Sequence, residues 1–177
     1  MKTNNQPFKL LKNLLVCCLF FFSLTVTGQE QEHVNDPESV INHLYDQVTF
    51  PPGENPDWDV VRNLFIPNAT VVMRTGVDKT TTLTLDGWIL DFVNFIYQNN
   101  VTAVGFEEKI VKMETMVFGD IAHVLVLYTA YLPGRTKTPR EGIDSFHLIK
   151  KDGRWFIVSI LNEIPGPERP KPKVLRD

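Results

Sequence analysis

The chain has 177 residues, enough for a single domain with a complete hydrophobic core. Its 18 Lys and Arg residues against 21 Asp and Glu residues give a formal net charge of −3 at pH 7, and no basic stripe runs along any segment. This balance argues against nucleic acid and anionic membrane surfaces as partners, because both select basic proteins.

The first 28 residues have the composition of a secretory signal peptide. Three lysines precede an apolar run at 14–26, and small and polar residues follow up to Gly28. We expect cleavage near Gly28 and a periplasmic or secreted product; an uncleaved anchor and lipidation at Cys17 or Cys18 are the alternatives. Cleavage removes three of the positive charges, which changes the net charge from −3 to −6, and leaves 149 residues without cysteine, so no disulfide can form.

Helical patterns occupy the first half of the remaining chain. After a polar lead-in at 29–35, Asp36 and Pro37 form a typical helix start, because Asp caps free amide groups and proline fits the first helical position. Apolar residues then recur at helical spacing to about residue 49. Asp57 is expected to cap a second, short helix and Asp86 a third. The third helix is predicted at 87–99, and two strand-like runs, at 69–75 and 80–85, precede it.

The second half is typical of antiparallel β-strands. Gly119-Asp120 and Asp152-Gly153 are tight-turn dipeptides that join runs of period-two alternation. The predicted strands are 104–118, 121–132, 143–150 and 155–164, and a Pro-rich segment at 165–177 is predicted to be an extended tail. We therefore predict one α+β domain at 36–164, with a curved antiparallel sheet wrapped around the three helices and a pocket at one end.

The last hairpin places an acid on an apolar face. If Asp152-Gly153 is a two-residue loop, Asp144 shares one sheet face with mainly apolar neighbours: Phe146, Leu148, Trp155, Ile157, Ser159 and Leu161. A buried Asp without a partner is costly, so such a residue is paired, shifted in its pKa or functional. Asp144 is therefore the strongest site candidate, with Phe146 as a ligand contact beside it.

Several of these features together resemble a known family. The segment F-I-P-N-A-T-V-V-M at 65–73, the helix containing Trp88, the two hairpins and the closing D-G-R-W-F-I at 152–157 are similar to the NTF2-like superfamily. That superfamily includes the SnoaL-like cyclases and the ketosteroid isomerases. The resemblance covers about 36–163 and implies an NTF2-like cone, whereas the fold by itself specifies no activity.

The resemblance implies roles for three positions. In the ketosteroid isomerases, a Tyr of the first helix and a protonated Asp of the penultimate strand hydrogen-bond a developing enolate oxygen; Tyr45 and Asp144 fall at matching places. Tyr45 also fits a plain core position on its helix. The carboxylate base of those enzymes corresponds to Met73, whose thioether cannot take a proton from carbon. This position favours a binding protein over an isomerase.

Other polar residues have more than one interpretation. His123 is either a pocket base or a satisfied core or rim histidine, because both faces of its strand are apolar. His147 has the opposite parity to Asp144 and is expected to face away from it. Arg74 is expected to bind an anionic ligand, to pair with Asp144 or to lie exposed at a strand end. Asn162 closes the last strand at the expected pocket mouth.

Three functions compete on this basis. The first is an exported domain that binds a small hydrophobic molecule through Tyr45, Arg74, Asp144, Phe146 and Asn162. The second is a SnoaL-like isomerase, cyclase or dehydratase that uses Asp144, Tyr45 and His123. The third is a structural homodimer through the outer sheet face, with Phe156, Val158 and Ile160 in the contact. No zinc pattern, phosphate loop or dinucleotide fingerprint is present, so neither a metal nor a cofactor is predicted.

Overall fold

The computed structural model describes residues 35–76, 78–135 and 137–176. The predicted signal peptide at 1–28, its cysteines and most of the lead-in at 29–35 lie outside these residues. The described chain contains three α-helices: α1 (Pro37–Val48), α2 (Trp58–Arg62) and α3 (Leu85–Gln98). Its strands are β1 (Phe65–Gly76), β2 (Lys79–Thr84), β3 (Glu107–Phe118), β4 (Ile121–Tyr131), β5 (Arg140–Lys151) and β6 (Arg154–Glu163).

Side-chain caps set the helix starts. The Ser39 amide donates to Asp36 Oδ1 at 2.7 Å, and Asp57 accepts from two amides at the start of α2, so both predicted caps are confirmed. The cap of α3 differs from the prediction. Thr84 Oγ1 accepts from the Gly87 amide at 3.1 Å, and Asp86 lies inside the first turn, where its charge still suits the helix dipole.

The strands form one sheet in the order β2-β1-β6-β5-β4-β3. This curved, unclosed sheet with its three helices confirms the predicted α+β cone. One pairing departs from the prediction of an antiparallel sheet, because β6 runs parallel to β1, with Val71 beside Ile160. Tight turns fix the direction of successive strands only. The pairing of β1 with β6 joins strands far apart in sequence, so no turn or alternation pattern in the sequence predicts whether it is parallel or antiparallel.

A β-bulge in the last hairpin changes which residues face the core. Lys151 pairs with Arg154 as predicted, but His147 pairs with Ser159 and Leu148 with Ile157, so Val158 is an extra residue. An extra residue reverses the face of everything beyond it. The residues opposite Asp144 and Phe146 are consequently Asn162 and Ile160. Ser159 and Leu161 move to the outer face, and Ile160 lies in the core instead of on the predicted dimer surface.

The main core lies between α1, α3 and the inner face of the sheet. It includes Ile41, Val61, Val71, Phe146 and Ile157, all of them fully or almost fully buried. The Pro-rich segment after β6 packs back onto the domain instead of extending away from it. Leu175 is buried in a short 3₁₀ helix that contacts β3. Lys171 forms an ion pair with Glu141 at 2.9 Å.

Candidate functional site

A partly enclosed cavity of about 70 Å³ opens between α1, α3 and the inner face of the sheet. Among the described residues that line it, ten are apolar or aromatic, two are acids and none is basic. The lining residues are Leu44, Tyr45, Val48, Val71, Met73, Trp88, Phe92, Glu108, Tyr128, Asp144, Phe146 and Ile160. An apolar wall with a few convergent polar groups is the usual character of a small-molecule site.

Asp144 lies at the centre of a hydrogen-bond network in this cavity. Tyr45 on α1 donates its hydroxyl to Asp144 Oδ2 at 2.8 Å, and Asn162 Nδ2 donates to Asp144 Oδ1 at 2.8 Å. Asn162 Nδ2 also donates to the Tyr128 hydroxyl at 2.9 Å. The structure thus brings together Tyr45, Asp144, Phe146 and Asn162, four of the residues predicted from the sequence. Asn162 does not line the cavity, although it was predicted at the pocket mouth; its side chain is buried beside Asp144 and donates a hydrogen bond to that acid.

Burial dominates the ionisation of this network. It raises the pKa of Asp144 to about 6, although the hydrogen bonds from Asn162 and Tyr45 favour the carboxylate. Burial and the nearby acids raise the pKa values of Tyr45 and Tyr128 well above 10. Both phenols therefore keep their protons and act as hydrogen-bond donors near neutral pH.

The Tyr128 hydroxyl is a donor available to a ligand. It accepts a hydrogen bond from Asn162, and its own proton has no acceptor among the residues that the structure describes. Gly142, its partner on β5, makes room for the ring, because a Cβ atom there would lie 2.2 Å from Tyr128 Cζ. Any side chain at position 142 would push the tyrosine from its place.

Glu108 is a second acid in the cavity, and the sequence analysis did not select it. Burial and the Asp144 charge raise the pKa of its carboxyl to about 8. Within the described chain, no group hydrogen-bonds this carboxyl. Its backbone is fixed by Thr49, whose hydroxyl exchanges hydrogen bonds of 2.9 and 3.0 Å with the Glu108 amide and carbonyl.

A signal for Glu108 was present in the sequence. Glu108 shares the parity of Phe106 and Ile110, two apolar residues that pack inwards, whereas Glu107 and Lys109 alternate with them and pair with each other. An acid on the apolar parity of a strand is the observation that also pointed to Asp144. The charged neighbours made the segment resemble a solvated surface strand.

His123 does not lie in the cavity. It has the parity of Leu125 and lies on the outer face, opposite to the buried Val124 and Val126. Its Nε2 atom is 2.9 Å from Ser145 Oγ, and its ring stacks on His147 with 5.2 Å between centroids. Burial and the neighbouring His147 lower the pKa of His123. The structure therefore does not place His123 at the cavity beside Asp144, and its contact with Ser145 fits the alternative prediction of a satisfied rim histidine. His147 faces away from Asp144 and lines the outer side of the sheet with His123.

Arg74 pairs with Glu163 and not with Asp144. Its Nε atom donates to Glu163 Oε1 at 3.0 Å, and a second guanidinium nitrogen contacts the other carboxylate oxygen. The bidentate pair lowers the pKa of Glu163. Arg74 does not line the cavity, so its predicted contact with a ligand has no support in the geometry.

The outer face of the sheet carries a second, wider groove. Its volume is about 410 Å³, and Met116, Phe118, Ile121, His123 and Val158 are among its lining residues. Within the described residues, no group of three or more His, Cys, Asp or Glu side chains is placed to hold a metal ion. No helix in that part of the chain is both long enough and apolar enough to span a membrane.

Comparison with solved structures identifies the architecture. An NTF2-like protein of unknown function from Pseudomonas putida superposes with a TM-score of 0.55 and 10% identity, covering 79% of this chain and 93% of its own. The chain has the NTF2-like fold. An NTF2-like protein with a cystatin-like fold from Novosphingobium aromaticivorans gives a TM-score of 0.51 at 12% identity, covering 68% of this chain and 77% of its own. Neither the family models nor the curated proteins contain a match.

Within the NTF2-like domain, the polar groups are arranged differently from the isomerase pattern that the resemblance implied. Tyr45 and Asp144 do converge, but they hydrogen-bond each other. Met73, at the expected base position, lines the cavity with a thioether. The second acid comes instead from Glu108 on β3, two strands away from Asp144.

Proposed function

We propose that this NTF2-like domain binds a small, mainly apolar molecule in the cavity beside Asp144. The supporting observation is an aromatic wall that contains two polar groups without partners in the described chain, the Tyr128 hydroxyl proton and the Glu108 carboxyl. Buried polar groups are normally satisfied, so groups left open at a cavity are suited to hydrogen-bond a ligand. The Asp144 network fixes the position of the tyrosine.

Thermal unfolding with a panel of small aromatic, aliphatic, carbonyl and amine compounds tests this function. A compound that binds only the folded state raises the melting temperature by mass action. Met73→Trp fills the cavity and should abolish the shift, whereas Val111→Trp, at a position 55% exposed, should preserve it. Equal shifts in both variants, or no shift with any compound, would contradict binding in this cavity.

We also propose proton transfer on such a ligand as a second candidate function. Its support is the pair of acids at one cavity, with pKa values of about 6 for Asp144 and about 8 for Glu108. The Glu108 carboxylate would take a proton from carbon beside a carbonyl, while the Tyr128 hydroxyl donates to the enolate oxygen. Return of the same proton to another carbon completes an isomerisation without a co-reactant. Glu108→Gln and Asp144→Asn should each lower turnover by about 10²-fold or more; unchanged rates exclude the acid concerned.

Export and self-association remain proposals of the same kind. For export, the N-terminal sequence of the protein recovered outside the cytoplasm should begin near position 29. For self-association, we propose that a second copy covers the outer groove. Its exposed apolar rim includes Phe118, which is 82% exposed, and Met116, which is 66% exposed, and exposed apolar patches of this kind are typical of contact surfaces.

A further inference from the structure

We infer that the ligand of the cavity is a small organic cation, an amine or quaternary ammonium whose positive charge lies between Glu108 and Asp144. This inference rests on the proposed ligand-binding function and specifies the chemical class of the ligand. Three features of the cavity support it: the sign of its charged groups, the aromatic character of its wall and the volume available.

The first feature is the presence of two acidic side chains in the cavity and the absence of a basic one among its described lining residues. Two carboxyl groups line the cavity, and no lysine, arginine or histidine lies among the described residues of its wall. The cations considered from the sequence lie elsewhere, since Arg74 pairs with Glu163 and His123 faces the outer groove. A buried carboxylate is stable only with a partner of opposite charge or hydrogen-bond donors. Glu108 has neither within the described chain, and its pKa is raised accordingly; a bound cation would supply the opposite charge that favours the ionised form of this acid.

The second feature is the aromatic wall. Five of the twelve lining residues are aromatic, from α1, α3, β4 and β5. The rings of Tyr45 and Tyr128 lie 5.7 Å apart at 57°, so together they form a corner, and those of Trp88 and Phe92 lie 6.1 Å apart. Aromatic faces attract cations, most strongly where water is excluded, and such cages recognise quaternary ammonium groups.

The third feature is size. One water molecule needs about 10–15 Å³ of space open to a water-sized sphere, so a cavity of about 70 Å³ has room for a compact head group of a few heavy atoms and not for a long chain. Met73 lines the same cavity, and its flexible thioether side chain can rearrange around a somewhat larger group.

Cation binding in this site must be linked to pH. The ionisable groups that line the cavity with Glu108 are Tyr45 from α1, Tyr128 from β4 and Asp144 from β5; α3, β1 and β6 contribute only apolar side chains. The phenols stay protonated, so the two acids set the charge. At pH 7 Asp144 is mostly ionised and Glu108 mostly protonated, whereas above pH 8 both are ionised. A cation favours the ionised forms, so its affinity should rise from pH 6 to pH 9, and binding near pH 7 should release protons.

Calorimetric titration of the protein with choline and with 3,3-dimethylbutan-1-ol tests the inference, because the two compounds have nearly the same shape and differ in charge. We expect choline to bind at least about tenfold more tightly than the alcohol at pH 8.5. We also expect the choline affinity to fall by about tenfold at pH 6 and the alcohol affinity to stay constant. Equal binding of the two compounds overturns the inference about charge but leaves the ligand-binding function standing. Binding of neither compound, nor of any compound in the thermal panel, overturns both.

Two matched variants locate the effect. Glu108→Gln keeps the shape of the side chain and should lower the choline affinity about tenfold, remove most of its pH dependence above pH 7 and leave the alcohol unaffected. Glu107→Gln alters the adjacent acid, which pairs with Lys109 and Tyr131, and should leave both affinities unchanged. A Glu108→Gln variant that is folded by circular dichroism and binds choline as the parent does would show that the cation lies elsewhere.

Discussion

Replacement of Glu108 by glutamine should make the folding stability less dependent on pH. The carboxyl has a pKa of 4.5 in an unfolded chain and about 8 in the folded domain. Between these values the unfolded state has released the proton and the folded state still holds it. Stability contributed by the protonated acid is therefore fully present below pH 4.5 and is lost progressively as the pH rises through about 8. The glutamine side chain does not titrate and has no such loss.

The size of the effect follows from the shift of the pKa. One pKa unit corresponds to about 1.4 kcal/mol, so the rise from 4.5 to about 8 corresponds to a loss of at most about 5 kcal/mol of stability at pH 9 relative to low pH. Part of this rise comes from the Asp144 charge, so the two acids titrate as a coupled pair and the observed difference will be smaller. A buried amide adds its own desolvation cost, but that cost is the same at every pH.

Urea unfolding followed by circular dichroism from pH 5 to pH 9 measures the effect. The free energy of unfolding of Glu108→Gln relative to the parent should increase with pH and level off above pH 8. Glu107→Gln is the control, because its carboxyl is paired with Lys109 and the Tyr131 hydroxyl outside the cavity. If the curves of Glu108→Gln and the parent run parallel over the whole range, Glu108 is not a buried acid with a raised pKa, and the reasoning fails.

Three further predictions concern Tyr128, the hydrogen bond from Asn162 to Asp144, and the outer groove. Gly142→Ala should displace the Tyr128 ring, lower the free energy of unfolding by about 1–3 kcal/mol and weaken ligand binding, as measured by urea unfolding and calorimetry. Asn162→Leu removes a donor to Asp144, so the pKa of that acid, followed by carboxyl ¹³C NMR, should rise above about 6, with a loss of about 1–3 kcal/mol in stability. Val158→Asp puts a charge in the outer groove and should yield a folded monomer by light scattering.

Each of these predictions can fail in a defined way. Gly166→Ala is the control for Gly142→Ala, because a Cβ atom at position 166 meets no other atom within 4 Å. Equal losses of stability in the two variants would show that the contact with Tyr128 is not the cause. An unchanged Asp144 pKa in Asn162→Leu would show that this hydrogen bond does not hold the acid. An unaltered dimer in Val158→Asp would remove the outer groove as the contact surface.

The sequence by itself determined the features that depend on neighbouring residues. Asp36 and Asp57 cap their helices because the capping oxygen and the free amides lie within three residues of each other. Asp152-Gly153 closes the last hairpin because both residues take positive φ. The placement of Asp144 on an inner, apolar face followed from period-two alternation within a single strand. These local rules gave the element order, the α+β class and the central acid.

The tertiary structure decided everything that depends on residues far apart in the chain. The parallel pairing of β1 with β6 joins strands that no tight turn connects, so no local sequence signal predicts it. The bulge at Val158 reversed the faces of the residues after it, and this reversal placed Asn162 opposite Asp144. The curved sheet places Glu108 of β3 in the cavity beside Asp144, two strands away from that acid. His123 lies on the opposite, outer face of the sheet. Burial then set the ionisation of the two acids, and burial is a property of the packed domain, which no local stretch of sequence contains.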